Sequence, residues 1–400
     1  MTPARAGQSQ RGQRTALFSF GFRPFFLSGA IWAVLAMLLW LTALSGAITL
    51  PTRFDPVSWH AHEFLFGYLG AVLAGFLLTA VPNWTGRLPM VGWPLVTLFA
   101  LWVSGRLVIF WSALLPGVIT MAADLSFPLA LLVVVLREII AGRHWRNLVV
   151  LALLVLFILA NGIFHLEAMT GAYPAQGYGL RLGLATAVMI IALIGGRIIP
   201  SFTRNWLART GRTARPSPPM QKYDKLVLLA SVLILALWVA RPSGSYTASC
   251  LLVFGLLHLV RLLRWQGHQT LTEPLVWVLH VSYAFIPAGA AALGIRLATD
   301  QDTTVAAQHL WMSGAIGSMT LAVMTRATLG HTGKELTADR GTVIIYLCLF
   351  GSVLARVASS PRLDLSSLSG ILWLAAFGGF AVIYGPLLAR PRRVQPDPQE

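Results

Sequence analysis

Twelve apolar runs of about 20 residues each follow one another along this chain of 400 residues, and they limit its possible folds. A helix of that length crosses the hydrocarbon core of a bilayer. The composition agrees, because 56% of the residues are hydrophobic and only 11% are charged, which soluble domains do not show. The runs lie at 24–45, 59–82, 94–113, 117–141, 147–168, 179–200, 223–241, 246–263, 273–297, 304–329, 341–357 and 367–389. The sequence therefore predicts an all-α polytopic membrane protein with a bundle of about twelve transmembrane helices.

The runs leave room for one transmembrane domain, 24–389, and for no soluble domain. The tails at 1–23 and 390–400 and the long loop 201–222 between helices six and seven are predicted to be cytoplasmic. The first polar stretch has no small-residue cleavage site after an apolar core, so we expect it to be retained.

The net charge of +16 admits two explanations, nucleic-acid binding or membrane orientation. With both termini in the cytoplasm, 23 of the 30 Lys and Arg residues fall in inner segments and five in outer loops. This distribution satisfies the positive-inside rule. We therefore expect a multi-pass membrane protein with both termini in the cytoplasm, surrounded by lipid and without a nucleic-acid partner.

Histidines dominate the ionisable residues at membrane depth, where such a group is costly unless it is paired, hydrated or bound to a metal. Two of the nine, His144 and His268, fall in short basic loops. The predicted topology places four histidines from three helices in one layer near the outer surface, and His258 near the inner end of span eight. The four candidate metal ligands of the outer layer are His60, His62, His165 and His309. His280 and His331 lie closer to the cytoplasmic side and predict a second site there.

Carboxylates accompany the outer layer, and each of them has the chemistry to orient an imidazole by accepting its second N–H. They are Glu63, Asp124 and Glu167. At about 100° per residue, His60 and His62 point about 200° apart on a regular helix. Either they serve two different centres or this turn is unwound. The alternative for the whole layer is a set of hydrated interfacial side chains.

Other segments give weaker signals. Arg23 in GFRPFF, Arg197 in GGRIIPSFTRNW and Arg326 in TRATLG lie near the cytoplasmic boundary, where arginine snorkels, caps a helix or pairs with an anionic group of a cofactor. The cysteines, Cys250 and Cys348, are expected to be buried apolar groups. Because the chain has no glycine-rich phosphate loop, nucleotide chemistry has no support.

Five segments together resemble the NnrS family, in this order along residues 21–334. They are GFRPFF, WHAHEFLFGYLGAVLAGFLLTAVPNWTGR, GGRIIPSFTRN, EPLVWVLHVSYAFIPAG and GAIGSMTLAVMTRATLGHTGK. The resemblance implies a bacterial inner-membrane protein of about twelve spans that contains haem and copper and is tied to denitrification and tolerance of nitric oxide. The family segments hold His60, His62, Glu63, His280, His309 and His331. His165 lies outside them, so its place in the ligand set rests on depth alone.

The residues and the resemblance together predict a protein that handles nitric oxide through histidine-bound metal. We expect copper and a haem, of b type, with Glu63 as the group that orients an imidazole or carries protons. For the haem, the expected contacts are His62, His309, His280 and His331, with Arg23, Arg197 and Arg326 near its propionates. The resemblance leaves open whether nitric oxide is turned over, which requires a respiratory electron donor, or only bound. The alternatives are a twelve-helix secondary transporter without a metal cofactor and an assembly protein for a respiratory complex.

Overall fold

A computed structural model describes residues 16–299, 304–360 and 363–390 of the chain. Within these ranges the chain forms twelve long helical passages, and its only bridge of β type joins Ser360 to Leu363. The passages, numbered α1 to α12 in chain order, are Phe22–Leu44, Pro56–Thr85, Trp93–Phe110, Gly117–Ala141, Leu148–Met169, Tyr178–Arg209, Lys222–Ala240, Ser245–Leu263, Pro274–Ala298, 305–332, Arg340–Ala358 and Ser366–Ala389.

Eleven of these passages are individually long and apolar enough to cross a membrane. The other one, α10, is continuous but is divided into Val305–His309, a π-helical segment Leu310–Gly317, and Ser318–Thr332. Together its parts match the predicted span 304–329. The prediction of an all-α polytopic membrane protein with about twelve helices is confirmed. The cytoplasmic location of both termini stays a prediction.

The ends of the helices follow local capping rules. Asp55 caps α2 by accepting from the backbone N–H groups of Val57 and Ser58, both at 3.0 Å, and Pro56 stands at the first helical position. Gly86 ends α2 in the left-handed region at φ 68°, where glycine has no steric penalty. These caps fix where α2 starts and stops, and α2 carries three of the predicted site residues.

Helix α6 is longer than the predicted span 179–200, because it continues to Arg209. Its extra turns bury Trp206 and Leu207 against Val276 of α9, so the apolar contacts of the bundle continue past the predicted membrane boundary. The segment between α6 and α7 is correspondingly shorter than the predicted loop 201–222. The predicted tails, 1–23 and 390–400, lie mostly outside the described residues, and α1 already begins at Phe22.

Two helices contain π-helical segments, and each segment starts directly after a histidine. In α2 the segment Glu63–Tyr68 follows His62, and in α10 the segment Leu310–Gly317 follows His309. A π-helical turn shifts the register of the side chains that follow and frees a backbone carbonyl. In α2 the freed carbonyl of Gly67 accepts from Trp102 Nε1 at 3.0 Å.

The centre of the bundle is formed by α2 and α6. In the most apolar stretch of each helix, 78% of the residues of α2 and 83% of those of α6 are buried inside the protein. The corresponding share is 33% for α3, α4 and α7. Helix α12 packs against α1, so the last helix lies beside the first. Polar groups on α2 are therefore enclosed by protein on most sides.

Candidate metal site

Six polar side chains from four helices meet inside the bundle near one end of α2. They are His62 and Glu63 on α2, Arg106 on α3, Asp124 on α4, and Asn161 and His165 on α5. None is more than 5% exposed. Because buried polar groups are costly without partners, such a concentration needs mutual hydrogen bonds or a bound ion.

Asp124 lies at the centre of this group and accepts from residues of three other helices. Its Oδ2 accepts from Asn161 Nδ2 at 2.7 Å and from His165 Nε2 at 3.1 Å. Its Oδ1 accepts from Arg106 Nη2 in a short contact. His62 Nε2 is 3.3 Å from Asp124 Oδ2. Asp124 therefore joins both buried histidines to the arginine.

Glu63 is the second carboxylate, and it is held by Arg106 and His62. Its Oε1 is 2.6 Å from Arg106 Nη1 and 3.0 Å from His62 Nδ1. Its Oε2 is buried without a hydrogen-bond partner. Gly67 makes this approach possible, because a Cβ at that position would lie 3.0 Å from Glu63 Oε2 and would collide with the Arg106 guanidinium.

His62 faces hydrogen-bond acceptors on both sides of its ring. Nδ1 faces Glu63 Oε1, while Nε2 faces Asn161 Oδ1 at 3.0 Å and Asp124 Oδ2. The amide of Asn161 is oriented by its own donation to Asp124, so its oxygen is the atom that faces the ring. A neutral imidazole has one N–H only. A neutral His62 ring therefore satisfies only one of its two sides, and the other side requires a second proton or a cation.

The charges of the group lead to the same requirement. Two carboxylates and one guanidinium sum to −1 when both imidazoles are neutral. A buried net charge is costly, so one further positive charge stabilises the group. An imidazolium at His62 or a bound monovalent cation supplies it.

Three donor atoms of this group are close enough together to hold one metal ion. The donor residues are His62, Asp124 and His165, whose ligand atoms all lie within 4.8 Å of one another. Two imidazoles and one carboxylate suit iron, copper or zinc. Glu63 at His62 Nδ1 is the carboxylate partner that metal-bound histidines usually have. We call His62, Glu63, Arg106, Asp124, Asn161 and His165 the outer cluster.

The other two histidines of the predicted outer layer lie elsewhere. His60 stacks on Trp40, with ring centroids 4.5 Å apart, and its Nδ1 is buried without a partner. The Nδ1 of His309 donates to the Val305 carbonyl at 2.8 Å, so its Nε2 is the ring nitrogen not used in this bond. His60 and His309 are near enough to interact electrostatically, and Arg356 is near both. The outer layer thus separates into two groups, and the alternative in which His60 and His62 serve different centres fits the structure.

Glu167, the third predicted carboxylate, caps a helix instead of orienting a histidine. Its Oε1 accepts from the backbone N–H of Tyr178 at 2.6 Å, and its Oε2 accepts from that of Gly179 at 3.2 Å. Both acceptors are used to stabilise the start of α6. The membrane depth predicted from sequence does not distinguish this capping role of Glu167 from the histidine-binding role of Asp124.

The predicted inner residues do not form one group through any contact seen in the described part of the chain. His280 is buried, its Nε2 lies 2.8 Å from the Thr203 hydroxyl, and its Nδ1 has no partner. His331 is exposed at the end of α10, with its ring 5.3 Å from that of Phe22. The inner site therefore remains a prediction.

Two of the three predicted cofactor arginines have protein partners. Arg23 Nη1 donates to the carbonyls of Leu387, Leu388 and Arg390 at 3.3, 3.0 and 2.6 Å, so it caps the end of α12. Arg326 lies over the Phe202 ring at 4.0 Å. Arg197 is half-buried in α6.

Sequence reasoning missed Arg106 and Asn161 in the outer cluster and a second buried ion pair. Arg261 is fully buried in α8 and donates to Asp224 Oδ1 at 2.8 Å. It also donates to the hydroxyl of Tyr283, which lies 2.7 Å from His258 Nδ1. This second group joins α7, α8 and α9, and the Nη2 atom of Arg261 is buried in it without a hydrogen-bond partner.

The fold and the outer cluster together define a class: polytopic helical membrane proteins with a buried histidine–carboxylate group in the bundle. The particular family follows from comparison of the sequence. Residues 16–392 match the family described as NnrS protein, and the chain belongs to that family. No curated protein matches the chain.

Proposed function

We propose that this chain is a metalloprotein of the bacterial inner membrane that handles nitric oxide, with copper bound by His62, Asp124 and His165. The observation that carries the proposal is the environment of His62 Nε2, which faces two acceptor oxygens inside a group of net charge −1. A copper(I) ion at this position satisfies the nitrogen and brings the group to neutrality. Its imidazole ligands suit copper, and family membership supports a role linked to nitric oxide.

A haem is the second cofactor of the proposal, and His60 and His309 fit as its ligands. The buried Nδ1 of His60 lacks a partner, and the His309 ring is oriented by its bond to the Val305 carbonyl. An oriented imidazole with a free second nitrogen is the usual arrangement of a metal-bound histidine. A cavity of about 600 Å³ lined by Leu77, Arg87 and Val134 contains no histidine and so offers the iron no such ligand. Haem iron and copper supply reversible binding of nitric oxide and one-electron transfer.

The chain's own residues hold and orient the site. Arg106 holds Glu63 and Asp124 in place, and Glu63 keeps the His62 ring in its orientation and is the candidate carrier of protons. The apolar bundle around the outer cluster excludes bulk water. Because nitric oxide is small, uncharged and soluble in lipid, it reaches such a site without an aqueous channel.

The competing function is that of a secondary transporter. The buried His62 in the outer cluster favours this function if its extra positive charge is a proton. If the extra positive charge at His62 is a proton, the outer cluster becomes a buried proton-binding site like those of proton-coupled carriers. Metal content separates the two proposals. A metal-free protein that takes up a substrate with protons into proteoliposomes would establish the transporter.

The test is elemental analysis and the visible spectrum of protein purified from cells supplied with iron and copper. We expect copper, iron and a Soret band that shifts when nitric oxide is added. His62→Ala and His165→Ala should lose copper, whereas His144→Ala, which changes an exposed loop histidine, should keep it. Wild-type protein without either metal, or copper that persists in both outer-cluster variants, contradicts the proposal.

A further inference from the structure

A large cavity lies at the other end of α2, away from the outer cluster. It measures about 600 Å³, within the usual range for ligand pockets, and it opens between the ends of α2, α3 and α4. Apolar side chains form its walls, among them Leu77 and Val81 from α2 and Val134 and Val135 from α4. We call this cavity the α2–α4 cleft.

The mouth of the cleft is charged and mainly positive. Arg87, Arg137 and Glu138 lie there, with the two arginine side chains 41% and 74% exposed and Glu138 17% exposed. The neighbouring loop packs against the end of α2, since Gly142 lies directly on Thr85, and it adds the exposed Arg143 and Arg146. Two arginines therefore pair with one carboxylate at the mouth, and the neighbouring loop contributes two more positive charges.

The surroundings of the mouth indicate a membrane–water interface. Leu88 and Trp93, on either side of the turn that leads into α3, are 89% and 81% exposed. Tryptophan is enriched at this level of the bilayer, and the exposed Leu88 adds apolar surface beside it. An apolar chamber that opens at headgroup level beside arginines matches a molecule with an acyl chain and an anionic head.

We propose that the α2–α4 cleft binds an anionic phospholipid, with an acyl chain between α2 and α4 and the headgroup phosphate on Arg87 and Arg137. Glu138 regulates this site, because its Oε2 holds Arg87 Nε at 2.6 Å and competes with the phosphate for the guanidinium. The lipid fills the cavity and joins α2, which carries His62 and Glu63, to α4, which carries Asp124. This binding site is independent of the metal proposed above.

The test uses the full-length protein and native mass spectrometry with phosphatidylglycerol, and with phosphatidylcholine as the neutral comparison. Each arginine near a phosphate contributes about 1 kcal/mol, so the double variant Arg87→Gln/Arg137→Gln should bind phosphatidylglycerol about 30-fold more weakly. The control Arg215→Gln, which changes an exposed arginine in the segment between α6 and α7, should bind like wild type.

Two further variants test the regulating carboxylate and the acyl chamber. Glu138→Gln frees Arg87 and should tighten phosphatidylglycerol binding, a direction that general damage to the fold does not produce. Val134→Trp fills the cleft and should weaken binding, while Val133→Trp, on the 64% exposed side of the same helix, should not.

Three results would each overturn the proposal. The first is equal affinity of the wild type for the two lipids, and the second is unchanged binding in the double arginine variant. The third is loss of iron from that variant with lipid binding intact, which would assign the arginines to a haem propionate.

Discussion

Replacement of Arg106 by leucine tests whether the outer cluster is an electrostatic unit. Arg106 is 5% exposed and is the guanidinium that contacts both Glu63 and Asp124. Its removal takes one positive charge from the group and leaves the carboxylates of Glu63 and Asp124 buried without their guanidinium partner. Removal of one partner from a buried ion pair costs about 3 to 5 kcal/mol, because the remaining charge is uncompensated. We expect Arg106→Leu to lower the free energy of unfolding by that amount.

A double-mutant cycle measures the coupling directly. Asp124→Asn removes one of the two negative charges, so the loss of Arg106 should cost less in this background. Residues in one ion-pair network show interaction energies of roughly 0.5 to 3 kcal/mol, and we expect a value in that range because Arg106 and Asp124 are in direct contact. Reversible unfolding in mixed micelles with increasing SDS, followed by tryptophan fluorescence, gives each free energy.

Arg204→Leu is the matched control, because Arg204 is exposed on α6. It should change stability by no more than about 0.5 kcal/mol. The reasoning is refuted if Arg106→Leu costs as little as this control. It is also refuted if the effects of Arg106→Leu and Asp124→Asn add within about 0.5 kcal/mol, since the two side chains would then be independent.

Three further predictions concern the same helix and the topology. Gly67→Ala should destabilise the protein by about 1 to 3 kcal/mol, because its Cβ meets Arg106, whereas Gly70→Ala, with its nearest atom 3.8 Å away, should be neutral in the same unfolding assay. Glu63→Gln should weaken copper binding about 10- to 100-fold in a chelator competition, since it removes the carboxylate that orients a ligand; unchanged affinity would exclude that role. Fusions after residue 390 should give fluorescent green fluorescent protein and inactive alkaline phosphatase, and the reverse pattern would place the C-terminus outside the cytoplasm.

The spans were predictable from sequence because each needs only local information, an apolar run of sufficient length. The role of Arg106 in the outer cluster was not predictable from sequence. This residue follows a largely apolar stretch of α3 near the end of a span, where arginine ordinarily snorkels to the surface. Only the position of α3 between α2 and α4 shows that its partners are Glu63 and Asp124. Asn161, an uncharged residue in an apolar helix, gave no signal at all.

Depth assigned the four outer histidines to one layer, but depth has no lateral information. His62 and His165 belong to the outer cluster, whereas His60 lies against Trp40 and near His309. The angle of about 200° between His60 and His62 already predicted two directions if the turn was regular. The structure agrees, because the helix is of α type from Pro56 to His62.

Beyond His62 the regular helical projection of α2 no longer applies. The π-helical segment begins at Glu63, so every later side chain of α2 is displaced from the face that 100° per residue assigns to it. The same displacement begins directly after His309 in α10. In both helices the irregular turn lies between a proposed metal ligand and the apolar remainder of the span. A π-helical turn is less stable than an α-helical one, and such turns occur frequently at functional sites. Their coincidence with the two histidine groups therefore supports the assignment of both groups to function, on grounds independent of the donor atoms.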